Sequence, residues 1–148
     1  MKICHNNKAN VKKITLLVGL PCSGKTHLAN EMAKLGQYVI LDDISHNKEL
    51  FKLMFLSGKP DNTDDIIITD YSLCNPLTRK ACESLLDRLF PDYEIYWIYF
   101  ENNPEKCHNN AKRRTGESRK VDNLIDLLSK QYTIPSDKVA LEIWQEQT

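Results

Sequence analysis

No stretch of the 148-residue chain approaches the roughly 20 apolar residues that span a bilayer, so the sequence predicts no membrane-crossing helix. Net charge is also lacking: 20 lysines and arginines balance 20 aspartates and glutamates. That balance excludes a whole-molecule positive field of the kind that draws in nucleic acid or an anionic membrane. The five cysteines (Cys4, Cys22, Cys74, Cys82 and Cys107) are odd in number and include no C-x-x-C pair. They exclude a disulfide framework and predict free thiols in a reducing cytosol. Cys22 and Cys107 are read as small side chains at tolerant positions rather than nucleophiles. The histidines His5, His27, His46 and His108 have no ligand spacing, and Cys107-His108 alone makes a poor zinc site. All four are expected to be structural or surface residues. No repeat and no low-complexity block is visible.

What is present fits one compact domain, residues 1–148, large enough to bury a core without metals or disulfides. Residues 1–12 form a polar N-terminal tail. The basic start followed by apolar Ile14–Leu20 superficially resembles a signal peptide. The apolar run is short and leads into Gly-Lys-Thr rather than a small-residue cleavage site, so it reads as a buried strand. Four such runs stand out: Ile14–Gly19, Tyr38–Leu41, Ile66–Thr69 and Ile95–Phe100. Near-continuous apolar runs suit strands covered on both faces of a parallel sheet. Helical patterns lie between them, at Lys25–Leu35, Ser45–Leu56, Leu77–Phe90, Pro104–Arg114 and Val121–Tyr132, and Lys138–Trp144 is a candidate fifth strand. The alternation predicts a three-layer α/β/α sandwich with a parallel sheet of about five strands. Tyr93, Tyr96, Trp97, Tyr99 and Phe100 cluster around the fourth run and are expected in the core. Trp144 either covers a sheet edge or stacks on a base.

One motif decides the class. Gly19-x-x-x-x-Gly24-Lys25-Thr26 follows an apolar strand and opens a helix, the setting a phosphate-binding P-loop requires. Glycines let the backbone curl until its N–H groups point at phosphate oxygens. The helix start adds partial positive charge. Gly19, Pro21, Cys22, Ser23, Gly24, Lys25 and Thr26 therefore form the expected ATP-binding loop. Lys25 reaches the β- and γ-phosphates and Thr26 ligates Mg²⁺. The run Ile66–Thr69 closes on Asp70, a strand-end acid placed to hold a magnesium-bound water beside that loop.

Two further signals favour a kinase over a switch or a motor. No Asn-Lys-x-Asp stretch is present to read guanine. The second strand ends in Asp42-Asp43, and phosphoryl transfer to a hydroxyl wants a carboxylate near the acceptor; one of the pair can act while the other caps the next helix. Residues 112–120 (Lys-Arg-Arg-Thr-Gly-Glu-Ser-Arg-Lys) carry five basic side chains and a glycine between two helices. That composition suits a lid whose Arg113 and Arg114 close over the γ-phosphate.

The order of these features, with Asn75-Pro76-x-x-Arg79 after Asp70, resembles the 5′-hydroxyl kinase domain of bacteriophage polynucleotide kinase over roughly residues 14–132. The resemblance implies that Asp42 is the general base and Arg113 the lid arginine. It also implies that Asp70, with Asp43 and Arg79, lies on the acceptor side. Three of the family's acceptor-side residues are replaced here, by Ser45, Ser72 and Asn109. The expected activity is a cytoplasmic, ATP- and Mg²⁺-dependent kinase acting on a polynucleotide 5′-hydroxyl or a nucleoside-type hydroxyl. The alternatives are a small-metabolite kinase on the same scaffold and a non-catalytic ATP-binding regulatory module.

Overall fold

The structure, a computed structural model, describes residues 11–36, 38–42, 65–115 and 119–145. The expected helix at 45–56, Asp43 and the polar tail through residue 10 lie outside the described residues. Four strands, β1 (Lys12–Val18), β2 (Tyr38–Asp42), β3 (Asp65–Thr69) and β4 (Tyr93–Tyr99), form one sheet in the order β2-β3-β1-β4. All pairings are parallel. The helices are α1 (Lys25–Ala33), α2 (Pro76–Leu89), α3 (Pro104–Thr115) and α4 (Arg119–Gln131). Described ends differ from the expected ones by a few residues.

Burial explains why these runs are strands. Ile14, Leu16, Leu17 and Val18 of β1 are completely enclosed, as are Ile66, Ile67 and Ile68 of β3. Alternate residues serve opposite faces. Ile14, Leu16, Val18, Ile66 and Ile68 pack with Leu85 and Leu86 of α2, Cys107 and Ala111 of α3, and Ile125 and Leu128 of α4. Leu17 and Ile67 face the other way and pack with Ala29 of α1 and Phe100. The result is the expected α/β architecture with helices on both faces. Of the aromatic residues around β4, Tyr99 and Phe100 are buried, while Tyr96 is exposed and bonds to Glu94.

The fifth strand is a correction. Residues 138–144 make one parallel bridge, Phe100 with Leu141, rather than a ladder. Leu141 N–H donates to the Tyr99 carbonyl at 2.7 Å and Glu101 N–H to the Leu141 carbonyl at 2.8 Å. Two residues on, Ile143 N–H turns to the Glu101 carboxylate at 2.9 Å. A side chain has taken the donor that a continuing strand would have needed, and the pairing stops there. That bond, with help from Lys106, holds the Glu101 carboxyl below its ordinary range.

A short 3₁₀ turn, Tyr71–Cys74, follows β3 and carries no apolar period. Asp70 caps its start, Oδ1 accepting the Ser72 N–H at 2.9 Å, and Asn75 closes it with its backbone N–H on the Ser72 carbonyl while its Oδ1 accepts the Leu77 N–H at 2.8 Å and caps α2. Pro76 opens α2 where a missing N–H costs nothing.

The C-terminal ends of β1 and β4 are tied by Tyr132, just beyond α4. Its buried hydroxyl donates to the carbonyls of Phe100 and Val18. Burial pushes its ionisation well above the ordinary tyrosine value. Tyr132→Phe should therefore lower unfolding free energy by about 1–2 kcal/mol, the cost of removing the hydroxyl bond from the buried Phe100 carbonyl, since the Val18 carbonyl also accepts the Phe100 N–H. Urea denaturation of the two proteins checks this, and an unchanged midpoint contradicts it.

Candidate functional site

β1 delivers its last residue, Val18, into the loop Gly19–Thr26, and α1 begins at Lys25. Two backbone positions there are left-handed, Cys22 at φ 65° and Gly24 at φ 107°. Glycine adopts that region freely; at Cys22 it costs on the order of 1–2 kcal/mol. Gly19 is required for space: a Cβ there would stand 2.6 Å from Ser23 Oγ and 3.1 Å from Phe100 Cβ. At Gly24 a Cβ would meet Trp144 Cβ at 3.1 Å.

The loop is shaped for an anion. α1 has no side-chain cap, so the first-turn N–H groups lack intrahelical partners and carry the positive end of the helix dipole. Ser23 Oγ is fully enclosed and has no hydrogen-bond partner among the described residues, a buried polar atom that a phosphate oxygen would satisfy. The Lys25 ammonium folds back on its own loop and donates to the carbonyls of Gly19 and Leu20, both at 2.8 Å.

Beside the loop lies a cavity of about 260 Å³, lined by Pro21, Cys22, Lys25, Thr26, Thr69, Asp70 and Tyr71. Asp70 is 2% exposed, and one of its oxygens holds the turn through Ser72. The structure thus brings Pro21, Cys22, Lys25 and Thr26 of the loop together with Asp70. Asp42 ends β2 directly opposite Thr69, one strand spacing of about 4.8 Å from the cavity wall.

Arg79 requires a correction. It is 8% exposed and does not line the cavity. Its guanidinium donates to the carbonyls of Leu73 (2.9 Å), Cys74 (3.0 Å) and Thr133 (2.7 Å) and lies 5.4 Å from the Tyr99 ring centre. A fork of planar donors fits that set of carbonyls, and the guanidinium is committed to them. Arg113 and Arg114 are exposed in the last turn of α3 and do not line the cavity either. The basic stretch at 112–120 is mostly helix: it ends α3 and starts α4, and only residues 116–118 lie outside the described residues.

Sequence reading missed several residues. Thr69 and Tyr71 line the cavity. Asn110 of α3 is buried, with its amide on the carbonyls of Cys22 and Trp144. Trp144 stacks on His27 of α1, ring centres 4.3 Å apart and planes 14° apart, so it covers the start of α1. A polar residue on the inner face of α3 was the only sequence signal for Asn110. The other thiols near the site are inert, since burial pushes Cys74 up to about 11 and Cys107 up to about 12. Among the described residues, no group of three or more His, Cys, Asp and Glu side chains could hold a metal, and no helix is long and apolar enough to cross a membrane.

His108 of α3 has both ring nitrogens on aspartates of α4: Nδ1 is 2.6 Å from Asp122 and Nε2 is 2.7 Å from Asp126. Partial burial disfavours its charge, but the bonds to Asp126 and Asp122 outweigh that and raise its pKa above the ordinary 6.5.

Among solved structures, the chain is similar to a gluconokinase from Sinorhizobium meliloti 1021 (TM-score 0.58, 15% identity, 93% of this chain and 85% of that one). At that identity the likeness is one of fold, and with the phosphate loop it defines a P-loop kinase fold. No protein-family model matches the chain. It is 32% identical over 127 residues to the protein described as "Uncharacterized protein R277" of Acanthamoeba polyphaga mimivirus, covering 83% of this chain and 88% of that one. The chain belongs to the family of that mimivirus protein.

Two outcomes follow from this geometry. Arg79→Lys should lower stability by about 2–3 kcal/mol, because an ammonium cannot reach three carbonyls in the guanidinium's fixed plane; an unaltered urea midpoint contradicts the tie. The His108 clamp should contribute fully below its ordinary pKa of 6.5 and fade as pH rises through the higher folded value. The stability difference between wild type and His108→Gln, followed by urea unfolding across a pH series, should shrink with rising pH. A pH-independent difference contradicts the clamp.

Proposed function

We propose that the protein is an ATP-dependent kinase that moves the γ-phosphoryl group to a hydroxyl acceptor, a polynucleotide 5′-hydroxyl or a nucleoside-type hydroxyl. One observation carries the reading. Lys25 and Thr26 of the phosphate loop share one cavity with Asp70 at the C-terminal end of a parallel sheet, and the loop, left-handed at Cys22 and Gly24, encloses a Ser23 hydroxyl with no partner among the described residues. Ligands of open α/β sheets bind there, where the strand order reverses around β1.

In this reading Lys25 leaves its loop carbonyls for the β- and γ-phosphates, and loop N–H groups from Gly19 to Thr26 receive the phosphate oxygens. Thr26 and Asp70 would hold Mg²⁺ together with phosphate oxygens, the usual partial protein shell of that ion; it would neutralise charge on the triphosphate. Asp42 accepts the acceptor's hydroxyl proton as that oxygen bonds to γ-phosphorus. The bond from γ-phosphorus to the β–γ bridging oxygen breaks and ADP leaves. Arg113 and Arg114, carried on α3, close over the transferred group. The bacteriophage polynucleotide kinase resemblance supplies the assignments of Asp42 and Arg113.

A second reading keeps the chemistry and changes the acceptor to a small metabolite. Two observations favour it: the buried Arg79 is committed to backbone carbonyls, which removes an expected acceptor-side cation, and the structural neighbour is a sugar-acid kinase by its name.

Transfer from γ-labelled ATP to a panel of 5′-hydroxyl DNA and RNA, nucleosides and small polyols tests both. Lys25→Ala should abolish MgATP binding. Asp42→Asn should keep binding and lose about 10²-fold or more in transfer rate, the usual worth of a general base. Label on 5′ ends supports the first acceptor, and label on a polyol the second. No transfer to any acceptor, or full transfer by Asp42→Asn, overturns the catalytic assignment.

A further inference from the structure

We infer that Asn110 is a positioning residue: through it α3 holds the phosphate loop in its binding conformation and ties that loop to the helix bearing Arg113 and Arg114. The inference rests on the kinase reading for its functional meaning, but its structural content stands on the bonds alone.

The Asn110 side chain is 1% exposed. Its amide nitrogen donates to the Cys22 carbonyl at 3.0 Å and the Trp144 carbonyl at 2.7 Å. Both partners are acceptors, so only the NH₂ end can face them and the amide has one workable orientation. A buried amide is costly unless bonded, which makes this a poor choice for filling space. Its bonded carbonyl belongs to Cys22, the non-glycine residue held at φ 65°. Such a conformation persists only where surrounding contacts over-determine it, and Asn110 supplies one from outside the loop.

The second bond extends the grip. Trp144, whose carbonyl Asn110 also holds, stacks on His27 and abuts Gly24. The loop is therefore braced by α3, by the segment after α4 and by its own helix. On α3, Arg113 and Arg114 lie three and four residues past Asn110, the spacing that places side chains on one helix face. A shift of the arginine-bearing end of α3 is thus transmitted to Cys22 through less than about one and a half helical turns.

Asn102, an exposed asparagine next to α3, provides a control for the loss of an amide that bonds two carbonyls. Its amide also donates to two carbonyls, those of Ser129 (2.9 Å) and Tyr132 (3.3 Å), and makes no bond to the loop. Deuterium uptake of peptides covering residues 19–26, measured without nucleotide and well below the melting temperature, should accelerate about tenfold or more in Asn110→Ala and Asn110→Asp. It should stay at the wild-type rate in Asn102→Ala. MgATP affinity should fall about tenfold in the Asn110 variants, in line with one lost buried hydrogen bond, and hold in Asn102→Ala. If Asn110→Ala does not fold, Asn110→Ser, which keeps one donor, is read instead. Unchanged loop uptake in a folded Asn110 variant overturns the inference, as does an equal effect in Asn102→Ala. A loosened loop in a protein whose wild type binds no MgATP supports the positioning role and overturns the kinase reading.

Discussion

The site depends on β1 being enclosed on every side. It runs between β3 and β4 in the sheet, and Ile14, Leu16, Leu17 and Val18 lose all contact with water. Hydrogen bonds to strands on both edges and apolar packing on both faces leave this segment no alternative register, since a one-residue slip would exchange its two faces. The phosphate loop emerges from that fixed strand, and the backbone turns at Cys22 and Gly24 are aimed by it. A curled loop on a frayed edge strand would present the same N–H groups in no defined direction. Preorganisation of this kind lets backbone dipoles act on a phosphate without first being ordered by it.

The neighbouring strands bring the carboxylates to the same end. The parallel register aligns Asp42 with Thr69, and Asp70 follows directly. Thr69 and Asp70 at the end of β3 and Lys25 and Thr26 of the loop then line one cavity. The arginines of α3 stand apart from it. That division separates the groups lining the cavity, on a strand end and the loop, from cations on a helix end.

Features carried by local pattern were legible in the sequence. The strands showed as short apolar runs, Pro76 and Pro104 marked helix starts, and the glycine-lysine-threonine loop declared its chemistry. Features carried by distance were not. Arg79 was placed on the acceptor side by the family resemblance, and nothing local in the sequence showed that its guanidinium would also reach the Thr133 carbonyl 54 residues away. Asn110 looked unremarkable because Cys22 lies 88 residues away. The segment at 138–144 had the alternation of a strand, but the Glu101 carboxylate intercepts its next donor. The 3₁₀ turn at Tyr71–Cys74 is started by the Asp70 side-chain cap, which periodicity does not register.

The brace on the phosphate loop also orders events during synthesis. The loop sequence is complete once Thr26 has been made, but the amide that holds Cys22 belongs to residue 110, and the Cβ that abuts Gly24 to residue 144. A ribosome-bound chain therefore carries the whole nucleotide motif long before it carries the motif's shape. Domains generally fold as units, so here an earlier part of the polypeptide waits on a later one. Nucleotide would find its seat only after the sheet, α3 and the returning segment are all in place, which makes binding a late marker of a finished fold.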